Sequence, residues 1–278
     1  MATAMMGGSR GRTFIDDVWL SEETSGVNIK GSLTTLDAVV QTGRKIVTGQ
    51  ALGTVDVAGY IASTDPQMEG KLQAVFGDEA TDHYVAHVFN PADIGAGGSV
   101  YGGMFRENSV EVDAKADGLV TLKGGVDLSL PDRSYVNGNP LRGLALAYGE
   151  RAAITTSYVN KPVVTVGATL GARLMIHLAL LAGGGNLNVL IEVSPDGVGS
   201  WYGYRQYTLN SRQVYANQWI YAETRGYWRA RVRSSNGQTA TATYLVWVQP
   251  NAVLGVHNPN GVWMLNEEDA YVIRRAGD

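Results

Sequence analysis

The sequence predicts a mainly β protein: a first β unit flanked by one helix, followed by a second β-sandwich. Three observations carry that prediction. Of 278 residues, 35 are glycine, 8 are proline and only 17% are charged, a balance suited to many strands joined by glycine turns. Residues 108–130, NSVEVDAKADGLVTLKGGVDLSL, alternate apolar and polar positions on both sides of Asp117-Gly118 and read as an antiparallel hairpin. Beyond residue 150, short apolar runs recur at regular spacing with turn residues between them. With 45% hydrophobic residues, the chain has enough apolar surface for one large domain or two ordinary ones.

Taken in order, residues 1–12 are expected to be a flexible arm, since they lack the continuous apolar segment of a signal peptide. Residues 13–23 and 25–40 have the β-branched content of strands. QTGRKIVTGQALG (41–53) carries three glycines among polar residues and is expected to be a long loop, with Arg44, Lys45 and Gln50 along it. TVDVAGYI (54–61) alternates as a strand. A helix is expected over 65–77: Asp65 can cap, Pro66 suits the first position, and Met68, Leu72, Val75 and Phe76 recur at helical spacing before Gly77. Strand 83–89, a glycine-rich link and the 108–130 hairpin complete a first unit over 13–145.

PDRSYVNGNPLRG (131–143) reads as a connection. After it come the strands of a sandwich over 150–250, and then an apolar arm, 251–278, expected to dock through Val262, Trp263, Leu265 and Val272. Five of the six tryptophans lie beyond residue 200.

No chemistry emerges from the candidate constellations. His83 and His87 beside Asp82 have helical metal-ligand spacing, but they sit in a strand-like segment without a third ligand. His177 interrupts an apolar strand and is expected to be a hydrogen-bonded core residue. The glycine clusters lack the Lys-Ser/Thr of a phosphate loop, and SPDGVGSW has one carboxylate where a calcium loop needs several. No enzyme activity, metal or cofactor is expected. Cysteine is absent, so no disulfide is available. The formal net charge of -4 offers no diffuse attraction for phosphate. The longest apolar stretch, from Leu174, is far short of the roughly 20 residues of a membrane helix, so no membrane span is expected.

The order FIDDVWL, TLDAV, a polar glycine-bearing loop, GTVDVAGYI followed by a helix, and DGLVTLKGGVDLS resembles the major tail tube proteins of long, non-contractile (siphovirus) phage tails. The likeness covers about residues 13–130 and is one of order, spacing and pattern. IEVSPDGVGSW and GYWRARVRS resemble the immunoglobulin-like sandwich domains appended to such proteins. The resemblance implies a tail-tube sandwich or barrel unit with one flanking helix, assembling as a homo-oligomer of six-membered rings. The rings stack around a tape-measure protein, meet tail-end proteins, and form a conduit for DNA ejection. The implied location is the virion tail, assembled in the host cytoplasm. It also implies that the 41–53 loop and the terminal arms bridge subunits and rings. Asp56, Glu111 and Asp113 are then candidates to face the lumen, where acids would let DNA slide. The alternative reading is a carbohydrate-binding or adhesion virion protein, acting through an aromatic face of Trp201, Tyr202, Tyr204 and Tyr207.

Overall fold

The computed structural model describes residues 11–20, 24–40, 43–60, 82–89, 98–114, 120–128, 141–166, 171–221 and 226–250. The helix expected over 65–77 and the docking arm 251–278 lie outside these residues. Every regular element described is a strand. They are β1 (Arg12–Ile15), β2 (Val18–Trp19), β3 (Thr24–Val40), β4 (Gly43–Tyr60), β5 (Asp82–Val88), β6 (Ser99–Ala114), β7 (Val120–Leu128) and β8 (Arg142–Ile154), then β9 (Val159–Asn160), β10 (Val164–Thr165), β11 (Gly171–Ala182), β12 (Leu187–Ser194), β13 (Tyr202–Leu209), β14 (Gln213–Tyr221), β15 (Tyr227–Ser234) and β16 (Ala240–Pro250).

Eleven strands form one sheet. Its main path runs β14-β11-β16-β8-β6-β5-β1-β2, and β7, β4 and β3 branch from β6 in that order. A second sheet has the order β10-β15-β12-β13, with β9 also on β15. All pairings are antiparallel.

The two sheets form a sandwich over the second half of the chain. Leu174, Ile176 and Leu178 of β11 and Tyr244, Val246 and Val248 of β16 meet Val189 and Ile191 of β12 and Trp228 and Val232 of β15 in one core. The alternate residues of the same strands face the other way. Met175 and Ala179 of β11 and Leu245 and Trp247 of β16 pack with Phe14, Ala86, Val88 and Val100. The large sheet therefore curls until β1, β5 and β6 cover the back of β11 and β16. These two strands are buried on both faces, which is why RLMIHLALLA and TYLVWV read as near-continuous apolar runs without alternation.

β6 makes the curl possible. It pairs with β5 on one side, while its other side pairs first with β8 and then with β7. Gly102 sits at the crossing: its N–H donates to the Leu141 carbonyl at 2.8 Å, and a Cβ there would collide with the Val85 carbonyl. β8 begins inside the stretch read as a connection and crosses the expected boundary at 145–150, turning Leu144 and Leu146 to the sandwich core and Ala145 to the other. The AGGGN link carries the chain from β11 to the second sheet with positive φ at Gly183 and Gly184, a conformation glycine adopts without strain.

The 41–53 expectation is corrected. Gly43–Gly53 belongs to β4 and pairs with Gly31–Val40 of β3, and Val40 faces Gly43 across a link of two residues. The glycines there mark a bulge as well as the turn, since Gly49 and Gln50 stand opposite Thr34 alone. Ile46, Val47 and Thr48 supply the β-branched content that the glycine count obscured.

Candidate functional site

The hairpin β6–β7, with β4 and β3 beside it, presents a polar face. Directly paired residues share a face, so the register sets its rows. One row runs Lys30, Thr54, Asp127, Arg106, Asp82 across β3, β4, β7, β6 and β5. A second holds Asn28, Asp56, Gly125 and Ser109, and a third Ala58, Lys123 and Glu111. Asp113 belongs to the next row, opposite Thr121. Lys30, Asp56, Arg106, Glu111 and Asp127 are exposed, whereas Val55 on the opposite face is fully buried. Arg106 donates from Nε and Nη2 to Asp82 Oδ1 at 3.1 and 3.0 Å. The face is therefore charge-interleaved: Asp56 and Glu111, read from sequence, do share it, but Asp127, Lys30 and Arg106 belong with them. Sequence reading missed Arg106 because the Glu107/Ser109 bulge shifts its parity within β6.

β3 and β4 are 17 and 18 residues long, but β7 pairs with β4 only over Thr54–Tyr60. Over Gly43–Gly53 of β4, the two strands pair with each other and with no other described strand, extending about 35 Å as a two-stranded arm. Arg44 and Lys45 lie near its tip, opposite Val39 and Ala38, and Gln50 lies at the bulge.

A polar staple fixes the curl that supports this wing. Asp16, at φ 50° between β1 and β2, accepts at Oδ1 from Tyr84 N–H and at Oδ2 from His83 Nδ1–H, both at 2.8 Å. Its carbonyl accepts from His177 Nδ1–H at 2.8 Å. His83, read as a possible metal ligand, is thus a hydrogen-bond donor, and His87 Nδ1 lies 2.9 Å from Thr13 Oγ1. Among the described residues no three His, Asp or Glu side chains converge as a metal site. Arg12 adds a tie to Glu150 at 2.8 Å. Burial pushes the Glu150 carboxyl up, but its hydrogen bonds from Arg12 and Tyr148 outweigh this and hold it below the usual range.

Asp16→Ala is expected to destabilise the fold by about 2 kcal/mol, since it removes the acceptor of the part-buried Tyr84 N–H and of the buried His83 Nδ1–H and puts alanine at positive φ. Asp16→Asn, which tolerates that φ and keeps an acceptor, should lose less. Urea unfolding of both variants checks the order.

On the second sheet, the expected aromatic face is divided. Tyr207 is buried in the sandwich core, edge-on to Tyr215 at 5.6 Å between ring centroids. Tyr202 and Tyr204 are exposed, and Trp201 lies on the Arg229 guanidinium, 3.9 Å from ring centroid to Cζ. The nearby Asp196 turn is set by local geometry: backbone N–H groups of Val198, Gly199 and Ser200 and the Ser194 hydroxyl hold its carboxyl down to about 2.

No protein-family model matches the chain. No curated protein matches it either. Solved structures do. One is a chain of the tail of an empty gene transfer agent particle, refined with helical C6 symmetry, at a TM-score of 0.31 and 15% identity, covering 39% of this chain and 78% of that one. Another comes from the virion of a native gene transfer agent particle, at TM-score 0.36 and 13% identity, covering 45% and 95%. A third is the Dit protein (gp 19.1) of phage SPP1, described as a hub adsorption apparatus, at TM-score 0.30 and 11% identity, covering 86% and 98%.

Proposed function

We propose that the chain is a structural protein of a bacteriophage tail, a subunit that assembles in the host cytoplasm into six-membered rings stacked as a tube around a tape-measure protein. In this reading, residues 13–145 build the wall, 150–250 form an outer immunoglobulin-like sandwich joined through β8, and DNA leaves through the lumen. The observation that carries it is the β3–β4 arm. An isolated two-stranded hairpin is marginal in water, and its outer edges carry backbone groups that pair with no described strand. A second copy of the chain, pairing along β3 and receiving the arm, satisfies both needs and closes the edges into a ring. The polar face then lines the channel. Its interleaved charges present no cationic stripe for phosphate, so DNA gains little by counterion release and slides. No catalytic step is part of this role.

Electron microscopy of the full chain across a concentration series tests the proposal, alongside a variant in which Asn-Gly replaces residues 33–51. The paired Ser32 and Leu52 allow that closure. Rings or tubes are expected from the full chain, and a monomer of unchanged melting temperature from the variant. Tubes from the shortened chain, or a discrete particle without rings from the full chain, would overturn the reading.

A further inference from the structure

The outer face of the second sheet carries a feature that ring assembly does not use. Along β15 the burial alternates strictly: Trp228, Ala230, Val232 and Ser234 point into the sandwich, and Arg229, Arg231 and Arg233 point out. Successive outward side chains on a strand are about 6.7 Å apart, so the three guanidinium groups form a ladder roughly 13 Å long. The buried Glu192 on β12 accepts from Arg229 Nε at 2.6 Å and from Arg231 Nη1 at 3.2 Å. Arg233 has no carboxylate partner among the described residues and lies over the Tyr158 ring, 4.4 Å from Cζ to centroid. Among the described residues, three cations thus share one anion.

Aromatic rings frame this ladder. Trp201 covers Arg229, while Tyr158 lies over Arg231 and Arg233 and donates its hydroxyl to Gln206 Oε1 at 2.8 Å, reaching from beside β15 to β13. Guanidinium is planar by its own bonding, and its fork of donors suits bidentate pairing with carboxylate or phosphate. Tyr204, the extra residue of the β13 bulge opposite Ile191 and Glu192, stands exposed on the adjoining edge strand, where the CH face of a sugar ring stacks well.

We propose that this face binds a negatively charged polysaccharide, with Arg233 and Arg231 taking its acidic groups and Tyr204 a sugar ring. The site is independent of the tube reading, because it lies on the sheet that carries neither the β3–β4 arm nor the polar wing. Two or three phosphate contacts alone would give nucleic acid only weak, salt-sensitive binding.

The test is calorimetric titration of the full chain with polygalacturonate and with hyaluronate, two acidic sugar chains. Neutral dextran and an oligothymidylate of matched charge serve as comparisons. Saturable binding to at least one of the two anionic polymers is expected. Arg233→Gln, which removes no ion pair and should leave melting unchanged, should weaken it about tenfold or more. Tyr158→Leu, which removes the ring and its hydroxyl hook, should weaken it as well. Arg106→Gln, an equal charge change on the other sheet, should not. Binding to neither polymer, equal losses in Arg106→Gln, or tighter binding of the oligothymidylate would overturn the proposal.

Discussion

Trp247→Ala is expected to destabilise the folded chain by about 3–5 kcal/mol, a fall of roughly 10 °C in melting temperature. Trp247 is fully buried and fills the middle of the layer where the large sheet folds over its own back, among Phe14, Ala145, Met175 and Leu245. The surroundings cannot collapse into the space it would leave. Gly143 already lies so close that a Cβ there would stand 2.5 Å from the indole Cε3, and neighbouring strands are fixed by ladder hydrogen bonds on both sides. The indole N–H has no hydrogen-bond partner, so Trp247→Phe forfeits packing but no polar contact and should lose clearly less. Urea unfolding of both variants gives the comparison. A loss below about 1 kcal/mol for the alanine variant would mean that the wing does not depend on this contact.

The second large effect is one of pH. Burial pushes the His177 imidazole down to about 4 against hydrogen bonding to the Asp16 carbonyl, which favours the charged form, and burial alone pushes His87 down to about 4. His177 Nδ1 is committed to Asp16 and its Nε2 is buried without a partner, so a second proton would sit on a donor with nothing to accept from it. Between about pH 6.5 and 4 the unfolded chain binds protons at both sites that the folded chain refuses. Stability from these two groups is therefore fully present above about pH 6.5 and is lost as pH falls through the window, by on the order of 2–3 kcal/mol for each. The Asp16 turn, held to β11 by His177, should loosen with it. Urea midpoints measured from pH 7.5 to 4 should decline across that window, and His177→Gln, which cannot charge, should flatten the decline. A midpoint constant from pH 7 to 4.5 in the unmodified chain would refute this account.

Much of the architecture was legible because it is local. The β6–β7 hairpin shows period-2 alternation in its own residues, and the register keeps that alternation, with Glu111 outward and Val55 of the neighbouring strand inward. The sandwich strands announce themselves by β-branched and aromatic runs between turn residues. The β3–β4 arm was misread because glycine marks turns, bulges and loops alike in a sequence. Only pairing shows that Gly49 sits in a bulge and Gly43 at a strand end. The arginine ladder escaped notice for a related reason: YWRARVRS alternates plainly, but the meaning of its outward residues depends on Glu192, Trp201 and Tyr158 arriving from other strands.

By itself, then, the sequence determined the β class, the hairpin with one polar face, and the residues that fill the sandwich, since side-chain alternation and turn chemistry act over a few neighbours. Tertiary structure alone decided that one sheet runs unbroken from the first half into the second. It also decided that β11 and β16 are covered on both sides, and that Asp16 meets His83 and His177 from strands 67 and 161 residues away. The physical reason is that strand pairing satisfies backbone groups without regard to sequence distance. Which edges meet is fixed by the packing of whole faces, and no short window of residues contains that.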